Sequence, residues 1–250
     1  YPEPGFPIYE SMINYSGAKA VPMYLSDKNN FSFNVKEVLS LINDKTRLLI
    51  LNNPQNPTGG LIPKDQIDEL AIGLEQYPHV AIMSDEIYSR QIYDGNKMPS
   101  FFYYPKLYDR LIVLDGWSKT YAMTGWRLGW SVWPEQLIEL VTRMAINSYS
   151  CVSAANQVAA IAALDGSHDF LEDMMSKFNK RRKLIVEGLN SIDGINCNNP
   201  GGAFYVFPNI SETGLTGAQF ADKCLYEAGV AIVPGTSFGK SANDFVRFSF

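Results

Sequence analysis

Gly116-Trp117-Ser118-Lys119-Thr120-Tyr121-Ala122-Met123-Thr124-Gly125-Trp126-Arg127-Leu128-Gly129-Trp130 is the stretch on which the reading of this chain turns. It leaves one short apolar run, Leu111–Leu114, and enters another, Leu128–Val132. Both runs have strand length and no polar alternation, the pattern of strands covered on both faces. A lysine in a loop is usually solvated. Lys119 instead sits among Gly, Ser, Thr and aromatic side chains, and Arg127 stands eight residues on, at the mouth of the next run. A guanidinium placed there can hold phosphate oxygens bidentately.

Outward from this stretch the same punctuation repeats. Further apolar runs occur at Ala20–Tyr24, Arg47–Leu51 and Val80–Ser84, and helical patterns at Tyr9–Ser16 and Lys64–Gln76 lie among them. Runs alternating with helices predict an α/β fold with a mostly parallel sheet flanked by helices. After Trp133 the pattern changes. Glu135–Met144 reads as a helix, Ala154–Leu164 as an Ala-rich helix packed in the interior, and His168–Ser191 as a long amphipathic helix. Strand-like Ala203–Phe207, helix Gly217–Ala228 and strands Val230–Val233 and Phe245–Phe250 follow, mixed as in a smaller α+β domain. The long helix is the natural joint, so the expected division is a large domain over 1–170 and a small C-terminal domain over 171–250.

Three other segments fall at or near strand ends, where open α/β sheets build their sites. Asn52-Asn53-Pro54-Gln55-Asn56-Pro57-Thr58-Gly59-Gly60 follows the run ending at Leu51 and forces an irregular turn. It is either a turn alone or a rigid loop presenting the Asn56 amide. Ser84-Asp85-Glu86-Ile87-Tyr88 follows the next run. Asp85 is either a helix cap or the partner of a cationic ring, since opposite charges favour each other's charged form. Tyr88 is close enough in sequence to reach the same ring. In Val246-Arg247-Phe248-Ser249 an arginine interrupts an aromatic strand, so it needs an anion or an exit to solvent.

Composition excludes several other classes. The formal charge is -5 and the only basic run is Lys180-Arg181-Arg182-Lys183, read as a solvated helix face, so no nucleic-acid partner is expected. No apolar run is long enough to cross a membrane. Cys151, Cys197 and Cys224 lack zinc spacing, and His79 and His168 stand apart, so no metal site is expected. Reduced thiols fit a cytoplasmic protein.

Taken together, Asn-Pro-Thr-Gly (56–59), Asp-Glu-Ile-Tyr (85–88), Ser-Lys-Thr-Tyr-Ala-Met-Thr-Gly-Trp-Arg-Leu-Gly (118–129) and Val-Arg-Phe-Ser (246–249) resemble the class I/II aminotransferase family, the fold-type-I pyridoxal-phosphate enzymes. The opening Pro4-Gly5-Phe6-Pro7-Ile8-Tyr9 resembles the segment after that family's second strand. Their order and spacing agree over essentially the whole chain. The resemblance implies pyridoxal 5'-phosphate as cofactor, amino acids and 2-oxo acids as substrates, and a homodimer. It makes Lys119 similar to the Schiff-base lysine and Asp85 similar to the acid that pairs with the pyridinium nitrogen. Asn56 and Tyr88 resemble the pair that hydrogen-bonds the phenolic oxygen, Arg127 the phosphate arginine, Phe6 the ring stacked on the pyridine, and Arg247 the arginine for the substrate carboxylate. Asn56 is expected on the substrate side as well.

Gly116 departs from the serine many relatives carry three residues before the lysine, which leaves Ser118 as the candidate replacement for a phosphate contact. Asn147–Cys151 is the candidate region for side-chain specificity. The resemblance further implies that two strands precede Tyr1 and that the small domain continues past Phe250. One of those strands belongs between Ala20–Tyr24 and Arg47–Leu51, so these two runs are not expected to pair, and the lane between them should stand empty or be filled by something else. Other carbanion chemistry on the same residues, such as a β-elimination lyase, and a cofactor-sensing regulator domain are the alternative functions.

Overall fold

The apolar runs 48–52, 81–85 and 111–116 do form the centre of the molecule. In a computed structural model describing all residues from Tyr1 to Phe250, they are β3 (Leu48–Asn52), β4 (Ala81–Asp85) and β5 (Leu111–Gly116). Ahead of them come β1 (Pro2–Glu3), α1 (Ile8–Tyr15), β2 (Met23–Tyr24) and α2 (Val35–Ser40), and α3 (Lys64–Leu74) crosses from β3 to β4. A single-turn helix, α4 (Trp117–Thr120), and then β6 (Gly129–Val132) follow β5. The sheet runs β3-β4-β5-β6, with the first three parallel and β6 antiparallel to β5. The fold is α/β, with a mostly parallel sheet between helices.

Helix α3 shows why the layers adhere. Ile67, Leu70, Ala71 and Leu74 recur at helical spacing and are all buried. They join Leu49, Leu51, Ile82, Leu111 and Val113 of the sheet and Val35 and Val38 of α2 in the main core. Lys64 and Asp68, one turn apart, pair at 2.7 Å on the outer face. Burying each large aliphatic side chain stabilises the fold by about 1.5–3 kcal/mol.

As expected, β2 does not pair with β3. The lane between them is filled at its end. Residues Pro2–Glu3 pair in parallel with Met23–Tyr24 and also pack against β3.

The remaining helices are α5 (Glu135–Tyr149), α6 (Ala154–Asp165), α7 (Asp169–Asn190) and α8 (Gly217–Ala228). A second sheet of β7 (Tyr205–Val206), β8 (Val233–Pro234) and β9 (Val246–Ser249) is antiparallel throughout, in the order β7-β9-β8. Helix α8 is fixed at both ends, by a Thr216/Gln219 capping box and by Gly229 in the left-handed region.

Two expectations are corrected here. Helix α6 is not an interior helix, because of its residues only Ala160 is buried while Val158, Ile161 and Leu164 are exposed. Ala160, Ile161 and Leu164 line an open groove shared with α5 and β6. The basic run is not uniformly solvated either. Arg182 is fully buried on α7, donates to Asp94 Oδ2 and to the Pro200 carbonyl, and lies 4.4 Å over the Tyr93 ring. A guanidinium can enter the interior when its donors find such a set of partners.

Candidate active site

Parallel strands that end in one layer deliver their next residues to one rim. At the end of β3, Asn52 donates from Nδ2 to the Asp85 carbonyl at 3.0 Å and accepts from the Asn56 backbone N–H at 2.9 Å. This ties the β3 loop to the end of β4 and holds Asn56, which is buried, over the rim. The loop also needs Gly59. Its φ is +70°, and a Cβ there would sit 2.4 Å from Pro200 Cβ and 2.6 Å from the Tyr205 carbonyl oxygen. The loop thereby packs directly on the strand that carries Tyr205.

Asp85 ends β4. Its Oδ2 accepts from Tyr9 Oη at 2.6 Å and its Oδ1 from the Ile87 N–H at 3.2 Å. Burial pushes the Asp85 carboxyl up, opposed by these two donors, and burial beside Asp85 pushes the Tyr9 phenol up too. Tyr88 is buried, and its Oη lies 3.0 Å from that of Tyr205.

At the end of β5, Gly116 pairs with Gly129 of β6. A Cβ at this position would lie 2.8 Å from both Gly129 Cα and the Leu128 oxygen, which accounts for glycine where a serine was the family expectation. Helix α4 then turns Ser118 and Lys119 into the cleft. Gln91 Nε2 donates to the Lys119 carbonyl at 3.2 Å, and Lys119 Nζ lies 5.3 and 5.8 Å from the Phe204 and Tyr88 ring centroids. Burial lowers the Lys119 pKa from its ordinary value, and the positive charges of Arg247 and Arg127 lower it further. Arg127 follows a 3-10 turn with φ +56° and donates to the Thr124 carbonyl at 2.9 Å. A left-handed arginine is an uncommon conformation that clusters at functional sites.

From β9, Arg247 donates from Nη1 to Asn56 Oδ1 at 2.9 Å and lies over the Tyr205 and Phe238 rings at 4.5 and 4.8 Å. Its Nε is buried with no partner.

Phe6, Asn56, Asp85, Tyr88, Ser118, Lys119, Arg127 and Arg247 all line one cleft of about 490 Å³. Tyr9, Asn52, Asp115 and Tyr205 line it as well, and sequence reasoning passed over them. Tyr9 closes the Pro4–Tyr9 motif, but nothing local ties it to an acid 76 positions away. Asn147–Cys151 does not line the cleft. It ends α5, and Tyr149, Ser150 and Cys151 line the apolar groove instead.

The family model for "Aminotransferase class I and II" matches residues 1–250. The chain belongs to this family. It is 38% identical to an aspartate aminotransferase of Pyrococcus abyssi, over 100% of this chain and 64% of that protein. It is 36% identical to aromatic-amino-acid aminotransferase 2 of Thermococcus litoralis, again over 100% and 64%. Among solved structures, the aspartate aminotransferase from Rhizobium meliloti superposes with a TM-score of 0.93 at 33% identity, covering 100% of this chain and 64% of that one. The aromatic aminotransferase from Pyrococcus horikoshii OT3 gives 0.94 at 37%, covering 99% and 66%. The chain therefore spans about two thirds of the length of the relatives it matches.

Members of this family use pyridoxal phosphate, and the donor set of the cleft fits that group. None of Asp85, Lys119, Arg127 and Arg247 is in an ion pair within the chain. A carboxylate without a cation, an amine of lowered pKa and two arginines, one with an orphaned buried Nε, match a ring with a basic nitrogen, an aldehyde and anionic groups.

Proposed function

We propose that this chain forms the cofactor- and substrate-binding part of an aminotransferase that moves an amino group between an amino acid and a 2-oxo acid. The observation that carries the reading is the set of four unpaired charged side chains, Asp85, Lys119, Arg127 and Arg247, around one cleft. In this reading Lys119 holds pyridoxal phosphate covalently, and the bound cofactor supplies the electron sink that amino-acid chemistry at Cα requires. Asp85 pairs with the ring nitrogen and keeps it protonated. Asn56 and Tyr88 donate to the phenolic oxygen, Phe6 covers one face of the ring, and Arg127 with Ser118 holds the phosphate.

Arg247 binds the substrate carboxylate, with its guanidinium plane fixed by Tyr205, Phe238 and Asn56. With the cofactor bound, the Lys119 amine would serve as the base that takes the proton from the substrate's Cα. Its lowered pKa makes the free-base form needed for this more available at neutral pH.

We also place the joint between two domains near residue 170, where α7 begins, and read the enzyme as a cytoplasmic homodimer. Three free cysteines support the compartment, and the exposed Ile138, Leu140, Met144 and Ile146 of α5 support the homodimer. No helix is long and apolar enough to cross a membrane.

The names of the relatives set the test. Aspartate, tyrosine, phenylalanine and alanine are offered to full-length, cofactor-loaded protein with 2-oxoglutarate or pyruvate as acceptor. At least one donor should yield its 2-oxo acid and the acceptor's amino acid in equal amounts. Release of ammonia, or no transfer from any donor, overturns the reading.

A further inference from the structure

Tyr205 has no part in the roles assigned above except as a surface for Arg247, yet its hydroxyl is placed as carefully as its ring. It is buried, and its one hydrogen-bond partner in the chain is Tyr88 Oη at 3.0 Å. A phenol has a single proton to donate. If Tyr88 donates to the cofactor's phenolic oxygen, the contact between the two tyrosines must be donated by Tyr205. Burial raises the pKa of both phenols, so both protons are present at working pH.

The strand register explains the other contact. Tyr205 of β7 is paired with Ser249 of β9, which makes it the diagonal neighbour of Arg247 on one face of the second sheet. Its ring therefore backs the guanidinium at 4.5 Å while its hydroxyl reaches Tyr88, in the turn after β4.

We propose that Tyr205 is a positioning residue with two separable actions. Its hydroxyl donates to Tyr88 and so directs and strengthens the hydrogen bond that Tyr88 gives to the cofactor, while its ring holds Arg247 flat for the substrate carboxylate. The proposal rests on the function proposed above. A phenol that accepts a hydrogen bond is a stronger donor, because the two bonds polarise each other. A stronger donor at the phenolic oxygen favours its ionised form and lowers the pH midpoint of the bound cofactor's visible absorbance.

The test uses full-length, cofactor-loaded protein and two readouts other than turnover: that absorbance midpoint, and the Kd of the unreactive carboxylates succinate and 3-phenylpropanoate by calorimetry. Tyr205→Phe should raise the midpoint by roughly half a pH unit and leave both carboxylate Kd values within about twofold. Tyr205→Leu should raise the midpoint similarly and also weaken the tighter-binding carboxylate by roughly five- to tenfold. In a Tyr88→Phe background, Tyr205→Phe should add no further shift, since the relay has already lost its middle member.

An unchanged midpoint in Tyr205→Phe, or an equal shift with and without Tyr88, overturns the relay while leaving the proposed function standing. A parent protein that shows no visible band with pyridoxal phosphate overturns both. If Tyr205→Leu does not fold, Tyr205→Phe and the double-variant cycle still decide the relay, because they retain the ring.

Discussion

Replacing Arg247 with lysine keeps the charge and removes the fork, which makes it the most informative single change in the cleft. Nη1 is committed to Asn56 Oδ1 at 2.9 Å, and Nε is buried with no partner in the chain. One of the guanidinium's five N–H donors is thus spent on Asn56, and a fork of donors is left for a carboxylate. A lysine ammonium is a point charge on a flexible stem and cannot present that fork. Losing one charge-assisted hydrogen bond costs about 1.5–3 kcal/mol, or roughly 10- to 150-fold in kcat/KM for an amino-acid donor. Arg247→Met removes both bonds and should cost roughly 10²- to 10⁴-fold. The assay compares an amino acid with the corresponding amine that lacks the carboxylate, on the same preparations, with thermal melts run alongside because Arg247 also packs on Tyr205 and Phe238. The amino acid should lose these factors and the amine should not. If both substrates fall by the same factor while the melt is unchanged, Arg247 does not bind the carboxylate and the reasoning fails.

Other outcomes follow from the same geometry. Asp85→Ala should still bind some cofactor but lose Cα proton exchange, followed by NMR in deuterated water, by several orders of magnitude; near-native exchange would show that Asp85 serves only as a turn cap for the Ile87 N–H. Asp94→Asn leaves the buried Arg182 without its anion, and because Asp94 itself is half exposed the loss should be about 1–3 kcal/mol by denaturant unfolding; an unchanged midpoint would mean that the Pro200 carbonyl and Tyr93 suffice. In cofactor-free protein the lowered pKa of Lys119 penalises its charged form in the folded state. The unfolded chain then binds more protons between the lowered folded value and the ordinary 10.5, so stability should rise with pH through that window. Lys119→Met should flatten this rise, and an identical slope in the variant would contradict the assignment.

Particular residues show how far the sequence could be read. The strands β3, β4 and β5 announced themselves as apolar runs, but their ends did not. Asn52, Asp85, Asp115 and Gly116 continue the ladder while departing from the apolar pattern, because the last residues of a strand still pair after they have left the core. The motif residues lie together in the cleft because each follows such an end. Tyr9 and Tyr205 could not be found this way, since each looks like an ordinary core aromatic and its partner is distant in sequence. Composition suggested that α6 is interior and that Arg182 is solvated. Both are corrected by tertiary placement, the first by an open groove and the second by an aspartate 88 positions away.

The central claim is that Lys119 carries the cofactor, and hydride reduction followed by peptide mapping tests it most directly. Full-length protein loaded with pyridoxal phosphate and treated with borohydride should carry a pyridoxyl-phosphate adduct on the peptide containing Lys119, and Lys119→Ala should carry none. An adduct confined to another lysine, or an equal yield from the variant, would contradict the account.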